Sequence, residues 1–339
     1  MTNKKRKKYV PLRSFSWSDN LQKTDAQILV EDTVKEWYKA KHPKASQSEI
    51  KFINSLSIRK CPFCGSETIV KNGHDGKGIQ RYLCKDCGNR FNPLTNTIFD
   101  SRKIPISEWI EYLLHLFEFH SVRSSSFDNR NSQTPGKYWL LKVFEVLKGI
   151  QNDVVLDGNI YLDETYFSKI KSQVLSKDGK KLRGISRNQI GVGVACNSKS
   201  YIFIVTGTSK PSFKSTRRTY LSHIAKESTL IHDDEKSHNI LIEELDLKNI
   251  SYSSAEIKKL KDKENPLYPV NHLHLLAKQF IRSHGGYDRE HLQDWMNLFW
   301  FIVNEPKDKY DKVLKFIELA INSPKRMKYR EVMSKKDLK

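Results

Sequence analysis

A chain of 339 residues with 38% hydrophobic and 11% aromatic residues can bury one large core or two to three modest ones, which argues against wholesale disorder. Lysine and arginine number 59 against 39 aspartates and glutamates, and the resulting net charge of +20 favours a polyanionic partner through counterion release. No apolar run approaches the roughly 20 residues that span a bilayer, and the basic start Lys4-Lys5-Arg6-Lys7-Lys8 has no apolar stretch behind it, so a cytoplasmic protein without a membrane partner is expected.

Residues 1–13 are basic, contain Pro11 and read as a flexible arm. From Ser18 to Ile58 the spacing of Leu21, Ile28, Leu29, Val34, Trp37 and Tyr38 predicts one or two amphipathic helices that break at His42-Pro43. A short helix with Ile50, Phe52, Ile53 and Leu56 follows, so 1–58 is one expected part of the chain. Residues 59–92 hold four of the five cysteines, as Cys61-Pro62-Phe63-Cys64 and, 19 residues on, Cys84-Lys85-Asp86-Cys87. Each CxxC turns two thiolates from one tight turn toward one ion, and two such knuckles complete a tetrahedral zinc site. Gly65 and Gly88 follow the knuckles, where the backbone commonly needs a positive φ. Thr68 to Lys71 and Gln80 to Leu83 are expected to form the hairpin between them. Arg59, Lys60, Lys71, Lys77, Arg81, Lys85 and Arg90 suit contact with nucleic-acid phosphates, while Tyr82 and Phe91 among them either stabilise the small core or stack on bases; a ribbon can instead mediate protein contacts.

Residues 93–152 form the next expected part. Pro93 to Asp100 reads as a linker and Ile106 to Phe119 as a helix. Ser121 to Pro135, rich in Ser, Asn and Arg, reads as a turn or loop, and Tyr138 to Ile150 as a second helix, together a helix-turn-helix-like element. From Val154 short β-rich segments take over: Asn159 to Phe167, Gln189 to Cys196, Tyr201 to Thr206 and Thr229 to His232. Helical patterns return at Ile240 to Leu245, Asn271 to Arg282 and Arg289 to Val303. The fold class this predicts is α+β or α/β: N-terminal helices and a zinc ribbon, then a mixed sheet flanked by helices over 153–305. Residues 306–339 form a helical, basic tail with its helix at Tyr310 to Ile321. Cys196, alone in an apolar run, reads as a buried small residue. Lys210-Pro211-Ser212 to Arg217-Arg218 reads either as a DNA-contacting loop or as a solvated charge run.

Two aspartates stand where a carboxylate is costly unless paired or bound to a cation. Asp163 sits within Ile160-Tyr161-Leu162-Asp163-Glu164-Thr165-Tyr166-Phe167, and Asp233 ends Leu230-Ile231-His232-Asp233-Asp234. On neighbouring strands they could hold two Mg²⁺ ions about 4 Å apart, the arrangement that activates an attacking oxygen and stabilises a leaving one. Strand alternation would turn Glu164 and Asp234 to the opposite side. For a third ligand, Asn271 is first choice; it shares a helical face with His274 and with Lys278, which could hold a phosphate. Asn271 could equally be a helix N-cap. His274 and Asp294 are the other candidates.

These residues carry a resemblance. CPFC…CKDC with Arg90-Phe91, the 161–167 segment, Ile231 to His238, Val270-Asn271-His272-Leu273-His274 through Lys278, His284-Gly285-Gly286-Tyr287 and Leu292-Gln293-Asp294-Trp295 resemble bacterial insertion-sequence transposases that join an N-terminal zinc ribbon to an RNase H-like DDE domain, over about residues 55 to 305. The resemblance implies DNA cleavage and strand transfer, structural Zn²⁺, catalytic Mg²⁺ or Mn²⁺, and a homo-oligomer acting on paired element ends and a target, at a bacterial nucleoid. By position Asp163 and Asp233 match the family's first two acidic residues. Its usual third, a Glu, is not met, but some relatives use Asn followed seven residues on by Lys, which Asn271 and Lys278 match. The rival expectations are a DNA-binding regulator whose Asp-bearing domain only dimerises, and a zinc-ribbon nuclease with no joining step.

Overall fold

A computed structural model describes residues 47–323, apart from 101–104, 129–132, 170–173, 183, 258 and 285–288, together with 25, 28, 29 and 325–329. The basic arm, most of the helical stretch expected before Pro43, the Gly285-Gly286-Tyr287 segment and the end of the basic tail lie outside the described residues.

Helix α1 (Gln47–Ser55) leads into a small antiparallel sheet of β1 (Ile69–His74), β2 (Gln80–Cys84) and β3 (Arg90–Phe91), ordered β1-β2-β3. The expected hairpin is present, with β1 starting one residue later and ending three later than expected, and is joined by a third strand. The segment 93–100, expected to be a linker, is instead a run of turns with Leu94, Ile98 and Phe99 buried. Its apolar residues pack onto the helices that follow, and the buried Lys142 ammonium donates to the Ile98 carbonyl.

Those helices are α2 (Ile106–Phe117), α3 (Val122–Asp128) and α4 (Gln133–Leu147). In α2, Ile106, Trp109, Leu113 and Leu116 recur at the three- and four-residue spacing that makes one apolar face. The 121–135 stretch, expected to be a loop, contains α3 and the start of α4. Its serines are weak helix formers in the open, but here Ser125 and Ser126 are buried and Ser126 Oγ donates back to the Val122 carbonyl at 2.6 Å. Their small size is what the packing uses. A Cβ on Gly136 of α4 would sit 1.8 Å from Ser126 Oγ, so the two helices approach through residues with almost no side chain.

The second sheet holds β4 (Asn159–Ser168), β5 (Gln189–Cys196) and β6 (Tyr201–Thr208), followed by α5 (Phe213–Tyr220), β7 (Thr229–Asp233), α6 (Asn239–Leu245), β8 (Lys248–Tyr252), α7 (Ser254–Ile257), α8 (Tyr268–Ser283), α9 (Leu292–Val303) and α10 (Lys309–Asn322). Its order is β6-β5-β4-β7-β8. The first three strands pair antiparallel, and β7 and β8 add on parallel to β4. This is the order and sense of an RNase H-like sheet, with helices on both faces as expected. Tyr161, Val192, Val194, Phe203 and Ile231 face α8 and α9, whereas Ile160, Leu162, Ala195, Ile202 and Leu230 face Tyr220 of α5 and Leu241 and Leu245 of α6. The alternation along each strand thus feeds two separate cores.

The 210–218 run is a correction. Residues 213–220 are helical, started by Ser212, whose hydroxyl accepts from the Ser215 amide in a capping box. Thr216, Thr219 and Tyr220 are buried on its sheet side, while Lys210, Lys214, Arg217 and Arg218 are all exposed, so the loop gives way to a helix whose charges are solvated. Strand β8 carries no apolar run and was not expected. It pairs as an edge strand, where polar residues face solvent. Among the described residues, no helix is long and apolar enough to cross a membrane.

Candidate metal centres and active site

The ribbon cysteines converge. Cys61 Sγ lies 3.7 Å from Cys87 Sγ, and Cys64 Sγ 3.6 Å from Cys84 Sγ. Four sulfurs each about 2.3 Å from one ion stand about 3.8 Å apart, so the spacing is that of a zinc tetrahedron and far too long for a disulfide. Each knuckle closes alike: the Gly65 amide donates to the Cys61 carbonyl and the Gly88 amide to that of Cys84. Both glycines adopt the left-handed φ that this turn demands, +76° and +71°. Asn89 Nδ2 supports Cys87 Sγ at 3.4 Å. Four thiolates at this spacing fit a structural Zn²⁺. Phe91 is buried against Tyr82, their rings stacked at 5.8 Å, so this pair builds the ribbon's small core. All seven basic residues expected at this surface are exposed.

On the larger sheet the parallel register pairs Leu162 with His232, so Asp163 and Asp233 come next to each other, one step on, on adjacent strands. They line one open cleft of about 380 Å³ with Glu164, Tyr166, Ile185, Lys210, Asp234, Glu235 and Ser253. Burial, and then the Asp233 and Glu164 carboxylates beside it, push the Asp163 carboxyl up to about 7. Burial likewise raises that of Asp233. Asp233 Oδ1 is buried without a hydrogen-bond partner. An adjacent pair of carboxylates that resist ionising together, one with an orphaned oxygen, is the donor set that a divalent cation such as Mg²⁺ or Mn²⁺ would relieve.

Glu164 turns to the other face of β4, as alternation requires, although it too is among the residues lining the cleft. Its side chain is almost fully buried and takes two hydrogen bonds, from the Tyr220 hydroxyl at 2.7 Å and from His238 Nε2 at 3.3 Å. His238 belongs to a 3-10 turn at Lys236–His238 and is fully buried. Its Nδ1 stands 3.0 Å from His232 Nδ1, and His232 Nε2 stands 3.0 Å from Asn249 Oδ1. Burial opposes charge on His238, but its hydrogen bond to the Glu164 carboxylate and the other carboxylates around it outweigh burial and raise its pKa. His232, by burial and by the neighbouring His238 charge, falls to about 4. Tyr220 and the two histidines were not among the expected site residues. The histidines stood in a quoted segment, whereas nothing local marks Tyr220.

The third-ligand candidates separate. His274 is buried on α8 with Nδ1 3.9 Å from Asp163 Oδ2, and its Nε2 has no hydrogen-bond partner. Asn271 stands one turn earlier on the same helix. The N-cap is Leu267, and the Asn271 amide is already bonded to the Leu267 carbonyl, so Asn271 is not the cap. Lys278 is near enough that its charge, after burial, helps depress His274 to about 4. Asp294, on α9, is bonded to His291 Nδ1 at 3.0 Å and is not part of the cleft lining. Away from the cleft, His115, Glu118 and His120 also cluster, but Glu118 is already bonded to Lys309 at 2.7 Å. Cys196 is buried, as expected, and burial pushes its thiol up to about 12.

Residues 54–88 match the family described as the InsA N-terminal domain, a zinc ribbon. An uncharacterized protein in transposable element ISH50 of Halobacterium salinarum is 39% identical over 49 residues, 14% of this chain and 16% of that protein, so the chain spans only a small part of this relative. Among solved structures, the Mos1 strand transfer complex is 11% identical over 62% of this chain and 74% of that one, with a TM-score of 0.28. The Drosophila P element transposase strand transfer complex is 12% identical over 65% and 59%, with a TM-score of 0.26. The cysteine geometry and the family match agree on the same residues: 54–88 are a zinc ribbon of the InsA N-terminal kind, and through it the chain resembles insertion-sequence transposases.

Proposed function

We propose that this chain is a transposase that binds the ends of its element through the ribbon and, with a divalent cation at Asp163 and Asp233, cuts DNA strands and joins them to a target. The observation that carries the reading is the pairing of two half-buried carboxylates on adjacent strands of an RNase H-like sheet, with the Asp233 Oδ1 orphaned. Mg²⁺ or Mn²⁺ bound there would supply Lewis-acid activation of the attacking oxygen and stabilisation of the leaving one.

The chain's own residues do the rest. Asp163 and Asp233 bind and orient from opposite sides of one strand gap. His274 stands against Asp163 on the helix side, with Asn271 and Lys278 one turn to either side of it along α8. Lys278 offers an ammonium to a phosphate. Lys210 at the rim of the open cleft, 4.0 Å from Glu235, adds positive charge to an otherwise acidic lining. The exposed cations of the ribbon would neutralise backbone phosphates, which positions the duplex without reading its sequence. Paired-end action by a homo-oligomer belongs to the same proposal.

The test is Mn²⁺- or Mg²⁺-dependent nicking and joining of labelled duplexes carrying the element's ends. Asp163→Asn is expected to abolish both steps while duplex binding stays within about twofold. Full activity in that variant sinks the catalytic assignment. Duplex binding by wild type with no nicking supports a regulator, and nicking with no joined product supports a nuclease.

A further inference from the structure

We infer that His238, anchored by Glu164 and Tyr220, is the positioning residue that fixes the Asp233 carboxylate for its cation. The inference rests on the acid-pair reading above and extends it to residues that touch neither DNA nor metal.

The hydrogen bonds have a direction. A carboxylate only accepts, so at Glu164 both the Tyr220 hydroxyl and His238 Nε2 must donate. Asn249 Oδ1 accepts from His232 Nε2, which leaves His232 Nδ1 as an acceptor and makes His238 Nδ1 the donor between the rings. His238 therefore has both ring nitrogens engaged, one toward β4 and one toward β7. That excludes it, and likewise His232, from binding a metal, although with Asp233 they offer three ligand atoms within 4.8 Å of one another. What remains is the edge of the ring. His238 Nδ1 stands 3.9 Å from Asp233 Oδ1, too far for a hydrogen bond and close enough to hold that oxygen by charge and packing.

The surroundings are shaped for this chain of contacts. Tyr220 and His238 are fully buried and His232 nearly so. A Cβ on Gly193, the strand partner of Glu164, would lie 2.3 Å from the Tyr220 hydroxyl oxygen, so the absence of a side chain there is what admits that hydroxyl to the carboxylate. Asp233 is the last residue of β7, and the turn that carries His238 begins three residues later. A carboxylate at a strand end has no ladder beyond it, and the His238 ring, tied to the central strand through Glu164, substitutes for the missing neighbour. Partners of this kind set the orientation of metal-binding carboxylates, and their loss commonly weakens metal affinity 10- to 100-fold.

The test uses the full chain with zinc in its ribbon and Mn²⁺ alone as the probe, free Mn²⁺ being counted by electron paramagnetic resonance. Asp163→Asn first identifies the binding that belongs to the acid pair. Glu164→Gln is then expected to weaken that binding by roughly tenfold or more, and Tyr220→Phe by severalfold, with zinc content unchanged. A purely structural role would lower the melting temperature and leave Mn²⁺ affinity as in wild type well below the melt. That result, in either variant, overturns the inference while the acid pair stands. If Glu164→Gln does not fold, Tyr220→Phe, which deletes one oxygen and keeps the ring, decides alone. A wild-type chain with no Mn²⁺ binding that Asp163→Asn removes overturns both the acid-pair reading and this one.

Discussion

Gly193 shows how one missing side chain can organise a site. Glu164, Tyr220 and the strand that carries Gly193 meet where a methyl group would overlap the Tyr220 ring at 2.7 Å and its oxygen at 2.3 Å. Gly193→Ala must displace either the strand or the hydroxyl, and overpacking of this kind costs about 1–3 kcal/mol. A drop in melting temperature of several degrees, measured by thermal unfolding, is the expected outcome; an unchanged melt contradicts the contact. Lys142 makes a second prediction. Burial pushes its ammonium from the ordinary 10.5 down to about 8, the Asp100 charge opposing. Between those values the unfolded chain holds a proton that the folded chain has released, so this lysine's contribution to stability rises as pH increases through that window. Lys142→Met removes the group that titrates. The variant should therefore gain less thermal stability than wild type between pH 8 and pH 10, and parallel profiles would refute the assignment.

Among the elements, the ribbon depends on its ion, since its hydrophobic core is only Cys61, Cys84 and Phe91 with a few partly buried neighbours. Cys64→Ser is expected to lose the zinc, measured by atomic emission, and to weaken end binding at least tenfold; a zinc-free variant that grips duplex normally would refute the ribbon's role. Helix α10 is started by Asp308, whose carboxylate accepts from the Tyr310 amide at 2.8 Å and the Asp311 amide at 3.0 Å. Asp308→Ala should cost about 1 kcal/mol in chemical denaturation. Strands β4, β5, β6 and β7 were legible in the sequence because each is an apolar run bounded by turn residues, and the two knuckles because their ligand spacing admits few other readings. What escaped was decided by packing. The serines of α3 read as loop until Gly136 gives them a close partner, α5 read as loose charge until Tyr220 finds its place beneath the sheet, and β8 has no pattern of its own. In the site, the two aspartates announced themselves as carboxylates among apolar residues. Tyr220 could not, because its role is set by a contact with Glu164 across 56 positions of chain.

For the whole molecule, the net charge of +20 sets the terms of association with a polyanion. Duplex binding is expected to fall by two orders of magnitude or more between about 50 and 200 mM salt, as counterion release requires for a protein neutralising several phosphates. A flat salt response, read by fluorescence anisotropy, would contradict it. The topology has a consequence for motion as well. Asp163 lies on β4, which is hydrogen-bonded to β5 on one side and to β7 on the other. Helix α8, which carries Asn271, His274 and Lys278, has no share in the strand ladder and is preceded by short, irregular turns. Backbone amides of β4 should therefore be the last to take up deuterium, exchanging only when the whole fold opens, while those at the start of α8 exchange through small local openings. On the proposed function the carboxylate pair would sit in the stiffest part of the protein and the side chains of α8 on one that can breathe, so adjustment to different DNA ends would fall to the helix.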